Sequence, residues 1–348
     1  MNFDSIYNVM DDYRFDDYDN FVKLINNSYH ELTEKHYIIN NVICPKYSLS
    51  SLGKDNLHDR FAIDYEGVRF DCLMTPYAQN CKSLFVIFSG ARSVNNDVLP
   101  VFKRWSYYRF IDSIVLNIAD PMFYEYDKLS LGWYYGNKER SYIKDLSVII
   151  TKVCELLKIK VSDLYLFGSS GGGYVALQLS MYLKDANYIA INPQLKLSSF
   201  FYANEFTKQT GIDLNIHDSY RRNDTIEVVK ENIFSKNGRF LILQNLQDKD
   251  DCINHLFPLL NNLGIEKLHL GLNDFNNLTV WLYSCVGGHN TQGDQIIFSH
   301  ILYLAKKISN NQITSYDHFL IKNISCLWRQ IEWYKFRTVQ LSNSSEKK

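Results

Sequence analysis

Between Arg60 and Ser284, short runs of β-branched and aromatic residues alternate with longer stretches in which apolar positions recur every three or four residues. The short runs are SLFVIFSG, SIVLNIAD, DLYLFGSS, NYIAINPQ, RFLILQNLQD and LTVWLYSC. Apolar runs of this length without polar alternation are the pattern of strands covered on both faces, as in a parallel sheet. The longer stretches, KERSYIKDLSVIITKVCELLKI, GYVALQLSMYLK, INHLFPLLNNLG and GDQIIFSHILYLAKKI, predict helices. Strands and helices in alternation predict the α/β class, with a mostly parallel central sheet flanked by helices. Upstream, RFAIDYEGVRFDCLMTP alternates around Glu66 and Gly67 and predicts a hairpin.

Three segments depart from this pattern. Residues 1–59 read as a helical N-terminal extension, with apolar spacing at Ile6, Met10 and Phe15 and again at Phe21, Leu24 and Ile25. Within the main domain, residues 60–310, the polar stretch 195–236 interrupts the alternation and predicts a cap or lid over the carboxyl ends of the strands. Residues 311–348 read as a C-terminal helix and a disordered tail, SNSSEKK; Trp328, Trp333, Lys335 and Arg337 give that helix an amphipathic character, expected to pack on the domain.

Composition narrows the function classes. With 348 residues, 46% of them hydrophobic, the chain can bury a sizeable core. A net charge of -1 supplies no global field for nucleic acid or anionic membrane, so no nucleic-acid partner is expected. Seven cysteines lack CxxC or CxxxC spacing, and the first residues, MNFDSIYNVMDDYRFDDYDN, are acidic where a signal peptide is basic and then apolar. Reduced thiols in a cytoplasm follow. No apolar run reaches the roughly 18 residues that span a bilayer.

The chemistry centres on DLYLFGSSGGGYVALQLS, a strand, a glycine-rich turn and a helix. A phosphate-binding P-loop needs Lys and Ser/Thr after its last glycine, whereas Tyr174 and Val175 stand here, and GxGxxG is absent. What remains is Gly168-Ser169-Ser170-Gly171-Gly172, a G-x-S-x-G in a strand-turn-helix setting, where small neighbours permit a sharp turn around a nucleophilic serine. Ser170 is the expected nucleophile, and the Gly171 amide at the helix start is an expected oxyanion donor. Such a serine predicts an acid after a later strand and a histidine after the last one. Asp248 follows RFLILQNLQ, with Asp250 and Asp251 as close rivals; His289 follows LTVWLYSC in the loop VGGHNTQGD, with His255 and His269 behind it. The second oxyanion donor is expected from Gly90, Ala91 or Arg92 after SLFVIFS, Ala91 being preferred, and no metal site is expected.

With Ser170, Asp248, His289 and the FSGAR loop in view, residues 60–308 resemble the α/β-hydrolase superfamily. Within it, FSGA, IADP…LGWYYG and GSSGGGY resemble segments of bacterial capsule-biosynthesis proteins, including serine-dependent polysaccharide O-acetyltransferases and XcbB/CpsF-type capsule proteins. The resemblance implies a cytoplasmic enzyme that moves an acetyl group from acetyl-CoA, its acyl donor, through Ser170 to a hydroxyl of a capsular or other surface polysaccharide. It implies no permanently bound cofactor, and association with capsule machinery at the inner face of the membrane. The HGGG motif of lipases is missing, and the first 60 residues and the C-terminal helix have no counterpart. A carboxylesterase or deacetylase shares the same acyl-enzyme, and a non-catalytic scaffold in a surface-glycan or secretion assembly is a further alternative. Aromatic residues make up 15% of the chain, and DPMFYEYDKLSLGWYYGNK concentrates several, so Trp133 and Tyr134, with Arg92, are candidate substrate contacts. Arg92, Lys103, Arg104, Arg221 and Arg222 are candidates for the CoA phosphates.

Overall fold

Described in this computed structural model are residues 44–75, 81–105, 108, 111, 113–234, 238–284, 288–289, 304–308, 310–315, 317–318 and 321. Most of the N-terminal extension, the tail and nearly all of the amphipathic C-terminal segment lie outside them. Ten strands are described: β1 Lys46–Ser48, β2 Asp59–Tyr65, β3 Val68–Met74, β4 Leu84–Phe88, β5 Ile114–Ile118, β6 Leu164–Ser169, β7 Asn187–Ile191, β8 Arg239–Asn245, β9 Gly271–Phe275 and β10 Leu278–Tyr283. They form one sheet in the order β1-β2-β3-β5-β4-β6-β7-β8-β10-β9. From β5 to β10 every neighbouring pair is parallel, while β3 and β9 run antiparallel to the strands beside them. The six apolar runs are β4 to β8 and β10, and the hairpin closes at Tyr65↔Val68 with Glu66 and Gly67 at φ 48° and 82°, as a two-residue primed turn requires.

The continuous apolar character of these strands has a direct cause. Alternate residues of each strand enter two different cores. Leu164 and Leu166 of β6 join the larger one, with Leu84, Val86 and Phe88; Tyr165 and Phe167 point the other way and join Phe85, Ile87, Trp281 and Leu304. Helix α1, Tyr142–Leu157, buries Ile143, Leu146, Ile149, Ile150 and Val153 at helical spacing in the larger core. It starts where Ser141 accepts a hydrogen bond from the Lys144 amide and stops at Lys158, whose φ of 58° is left-handed.

Helix α2, Gly171–Gln178, follows β6 with no loop between them. The close approach explains two glycines. A Cβ at Gly168 would fall 2.1 Å from the Gly172 carbonyl carbon, and one at Gly172 would fall 2.5 Å from the Phe88 oxygen of β4. Only backbone stands in the way, so neither clash is relieved by a rotamer change. Gly168→Ala is therefore expected to destabilise the fold by about 3 kcal/mol, the upper part of the overpacking range, read as a lower urea midpoint.

Of the stretch 195–236, helix α3, Ala203–Thr210, sits beside the loop after β5, where Glu205 accepts from the Ser130 amide at 2.7 Å. Helix α4, Thr225–Ile233, packs instead on α2: Gln178 Nε2 donates to Thr225 Oγ1 at 2.8 Å, and Val229 and Ile233 join the larger core. No helix among the described residues is long and apolar enough to cross a membrane.

Candidate active site

Ser170 occupies the junction of β6 and α2 with φ 55° and ψ −124°, a region L-residues rarely visit. Such strain, of order 1–3 kcal/mol, persists only where surrounding structure enforces it. Here the Ser170 amide is tied to Ile191 O at 2.9 Å and its carbonyl accepts from the Tyr174 amide at 3.1 Å. The turn projects Oγ from the carboxyl end of the parallel strands, where the loops after β4, β7, β8 and β10 converge.

His289, beyond β10, places Nε2 at 2.9 Å from Ser170 Oγ. Its Nδ1 lies 2.8 Å from Asp248 Oδ2 and 2.8 Å from Asp251 Oδ2. An Nδ1–H shared between two carboxylates leaves Nε2 of the neutral ring as an acceptor, which is the tautomer that can take a proton from Oγ. Asn245, at the end of β8, donates to Gly288 O at 2.9 Å and so ties the histidine loop to the acid loop. Asp248 also caps the helical turn beyond it, accepting from the Asp251 amide through Oδ1 at 3.3 Å. That turn, Lys249–Asp251, runs through a π-helical stretch, Cys252–Leu256, into Phe257–Asn262. The sequence offers Asp248, with Asp250 and Asp251 as rivals for a single place, whereas Asp248 and Asp251 both reach the same imidazole. Asp250 makes no such contact. His255 is buried, accepts from the Lys196 amide at 3.2 Å through Nδ1 and turns Nε2 to 3.6 Å from Asp251 Oδ1. His269 lies in another loop, beside Asn273.

These contacts decide the charges. Burial alone would lower the His289 pKa, but its hydrogen bonds to Asp248 and Asp251, reinforced by their charge, raise it to about 9. Burial also pushes Asp248 upward, and the His289 hydrogen bond and charge outweigh it, so that its carboxyl lies below the ordinary range. Asp251 goes the other way: burial, together with the neighbouring Asp248 charge, lifts it to about 6. Burial lowers His255 to about 4, so this second imidazole is neutral at ordinary pH. Asp248, Asp251 and His289 each present one ligand atom, all within 4.8 Å of one another, and could accept a cation. The Nδ1–oxygen separations are those of hydrogen bonds.

The candidate oxyanion donors border Ser170. A Cβ at Gly90 would lie 3.8 Å from Ser170 Cβ and 3.9 Å from the Gly171 nitrogen, so the loop after β4 runs against the turn that carries Ser170. The Arg92 amide is taken by Ser130 O at 2.8 Å, which leaves Gly90 and Ala91 of the three candidates. Neither the Ala91 nor the Gly171 amide has a hydrogen-bond partner among the described residues.

Other expected substrate contacts are placed differently. Tyr134 is fully buried, its hydroxyl accepting from the Ser89 amide at 2.9 Å and donating to Ile118 O at 2.5 Å. Arg92 donates to the carbonyls of Leu129 and Asp127 and stacks over Phe123. Trp133 is buried too, against Phe206 at 5.2 Å between ring centroids. Phe123, Trp133, Tyr134 and Tyr135 of the loop after β5 are core residues, not an open sugar platform, whereas Tyr124 is exposed with its hydroxyl donating to Asp71. Lys103 pairs with Asp97 at 2.7 Å, Arg221 with both oxygens of Glu231, and Arg222 with Asp218 and three backbone carbonyls, so these cations are engaged within the fold.

One residue that the sequence reading passed over stands at the centre. Gln194, beyond β7, is fully buried and donates through Nε2 to Ser170 Oγ at 2.7 Å. No motif marks it; its place after a sheet-centre strand is the only signal.

No protein-family model and no curated protein matches the chain. Solved structures do. The Glycosylation Associate Protein (Gap123) complex from Streptococcus agalactiae matches with a TM-score of 0.53 and 19% identity, over 73% of this chain and 47% of that one. The capsule O-acetyltransferase of Neisseria meningitidis serogroup A matches with a TM-score of 0.50 and 20% identity, over 70% of this chain and 95% of that one. This chain therefore spans under half the length of the first. The chain has the α/β-hydrolase fold. Within that fold, Ser170 stands at the sharp turn between β6 and α2, Asp248 and Asp251 after β8 and His289 after β10.

Proposed function

We propose that this α/β-hydrolase-fold chain is a serine-dependent acyltransferase that moves an acetyl group from acetyl-CoA to a hydroxyl of a capsular or other surface polysaccharide. The observation that carries the reading is the line from Ser170 Oγ to His289 Nε2 at 2.9 Å, with Nδ1 held by carboxylates on the far side of the ring. Ser170 Oγ–H gives its proton to Nε2 as Oγ bonds to the thioester carbon; the Gly171 and Ala91 amides hold the oxyanion. The C–S bond breaks, CoA leaves with the proton from Nε2, and acetyl-Ser170 remains. A sugar hydroxyl then loses its proton to Nε2, attacks the acetyl carbon and expels Oγ, which recovers the proton.

The acceptor is chosen on two supports. Both like-folded proteins carry names from glycan biology, glycosylation and capsule acetylation. At the mouth of the site Phe200 lies 6.0 Å from the His289 ring, and Phe201, whose ring is tilted against that of Phe200 at 4.4 Å between centroids, is 71% exposed, a surface of the kind on which sugar rings pack. The segment from Phe200 into α3 would then act as the cap.

The test is release of free CoA thiol from acetyl-CoA by the purified protein and its Ser170→Ala variant, with and without a capsular oligosaccharide mixture. Release that needs both Ser170 and sugar is the expected result. Release that needs Ser170 but not sugar, or Ser170-dependent cleavage of a simple activated ester alone, would make the chain a hydrolase. Absence of any Ser170-dependent chemistry would leave the scaffold role.

A further inference from the structure

Gln194 has surroundings that specify what its amide does. Its Oε1 accepts from Trp133 Nε1 at 2.6 Å. An indole nitrogen only donates, so the oxygen end of the amide must face Trp133 and the NH2 end must face Ser170. Trp133 is itself immobilised: it is fully buried, adopts a left-handed φ of 54° and packs edge-on against Phe206 and Phe200. Room for its ring comes from Gly171, where a Cβ would sit 3.2 Å from Trp133 Cδ1 and 2.7 Å from Leu131 Cδ1. A neutral amide buried at this point is stabilised by one bond to a fixed indole and one to the Ser170 oxygen.

The consequence lies in the geometry of a hydroxyl oxygen. Four directions leave Ser170 Oγ. One is the bond to Cβ, one is the O–H aimed at His289 Nε2, and one is the lone pair that accepts from Gln194 Nε2 at 2.7 Å. A single lone pair is left. We propose that Gln194 is a further catalytic residue of the acyl transfer: its side-chain amide aims the remaining lone pair of Ser170 Oγ at the acyl carbon and supports the charge on that oxygen as its proton leaves. The inference rests on the acyl-transfer reading above. In the first half-reaction the O–H bond breaks, the proton passes to His289 Nε2 and the Oγ–C bond forms while the Gln194 N–H···Oγ bond persists. In the second the Oγ–C bond breaks, the same N–H steadies the departing oxygen, and the proton returns from Nε2. Gln194 stays neutral and gives up no proton. Trp133 is a positioning residue, since it acts only by fixing which end of the amide faces the serine.

The experiment follows covalent capture of the serine by a fluorophosphonate probe, with the second-order labelling rate compared in the wild type, Ser170→Ala, Gln194→Met, Gln194→Glu and Trp133→Phe, each checked for a cooperative thermal transition. Gln194→Met keeps the volume and loses the donor, and its rate is expected to fall roughly 10–100-fold, the usual consequence of losing a donor to a developing charge. Trp133→Phe keeps the ring and frees the amide to turn, for a loss of about threefold to tenfold. Gln194→Glu supplies a readout that packing would not move: its carboxyl can donate to Oγ only when protonated, so its rate relative to wild type is expected to rise as pH falls. A folded Gln194→Met that labels at the wild-type rate would overturn the inference. So would a Gln194→Glu to wild-type ratio that does not change with pH, which decides the matter if Gln194→Met fails to fold. Equal labelling of wild type and Ser170→Ala would instead remove the acyl-transfer reading, and the role of Gln194 with it.

Discussion

Ser170→Ala is expected to lower acetyl transfer by roughly 10⁴-fold or more while leaving the fold intact, because loss of the nucleophile removes the covalent route and leaves only the contribution of the oxyanion donors and binding. The fold should survive because, among the described residues, Oγ is hydrogen-bonded to His289 and Gln194 alone, and the turn is held by backbone bonds to Ile191 and from Tyr174. A companion variant separates chemistry from strain. Glycine adopts φ 55° and ψ −124° without the strain that serine and alanine carry there, so Ser170→Gly is expected to be as inactive as Ser170→Ala yet to unfold at a higher urea concentration, by part of the roughly 1–3 kcal/mol that such a backbone conformation costs. Thiol release from acetyl-CoA and urea denaturation measure the two effects on the same preparations. Wild-type activity in Ser170→Ala would end the acyl-Ser170 mechanism. A Ser170→Gly variant less stable than the alanine one would contradict the attribution of strain to this turn.

Much of this molecule is written in local pattern. The runs that became β4 to β8 and β10 are apolar on both faces because two cores cover them, and no partner needs to be known to recognise that. The place of Ser170 was legible because the glycines required by a close approach announce themselves, and that of His289, which the structure brings to 2.9 Å from Ser170 Oγ, because it follows the last apolar run in a glycine-bearing loop. The hidden parts depend on contacts across the sheet. β1 is three residues long, and β9, GLNDF, shows no alternation, so both owe their pairing to the neighbouring β2 and β10. Trp133 and Tyr134 resemble a sugar platform in sequence and are core in space, since only the packing of α3 decides whether the loop after β5 is covered. Gln194 has no local signature, because its meaning comes from an indole 61 positions earlier and a serine 24 positions earlier. The acid was readable as a cluster, not as a pair, because the turn capped by Asp248 is what swings Asp251 back toward the imidazole.

That pair leads to a quantitative expectation about redundancy. In a site with one carboxylate, converting it to Asn drops the rate by about 10⁴-fold, because an amide can present its NH2 to Nδ1 and stabilise the wrong tautomer. Here either carboxylate can hold Nδ1–H when the other becomes an amide. Asp248→Asn and Asp251→Asn are each expected to lose only about 10–100-fold, and the double variant to reach the full loss of about 10⁴, a non-additive cycle in kcat/KM. Asp248 should be the more damaging single change, since its carboxyl is held ionised beside His289 whereas burial lifts that of Asp251 to about 6. The pH profile gives an independent readout. Because the two acids raise His289 to about 9 from its ordinary 6.5, wild-type kcat/KM should climb with pH along a limb displaced well above 6.5, and each Asn variant should move that limb back toward it. The same group contributes to stability with a defined sign: its folded-state pKa is raised, so the contribution is complete below pH 6.5 and is lost as pH rises through about 9. The double variant should therefore lose stability relative to wild type in neutral solution and show a smaller difference in strong alkali. If Asp251→Asn changes neither the rate nor the limb, alone or on top of Asp248→Asn, then Asp248 alone orients the imidazole and Asp251 is a buried acid that packs against it.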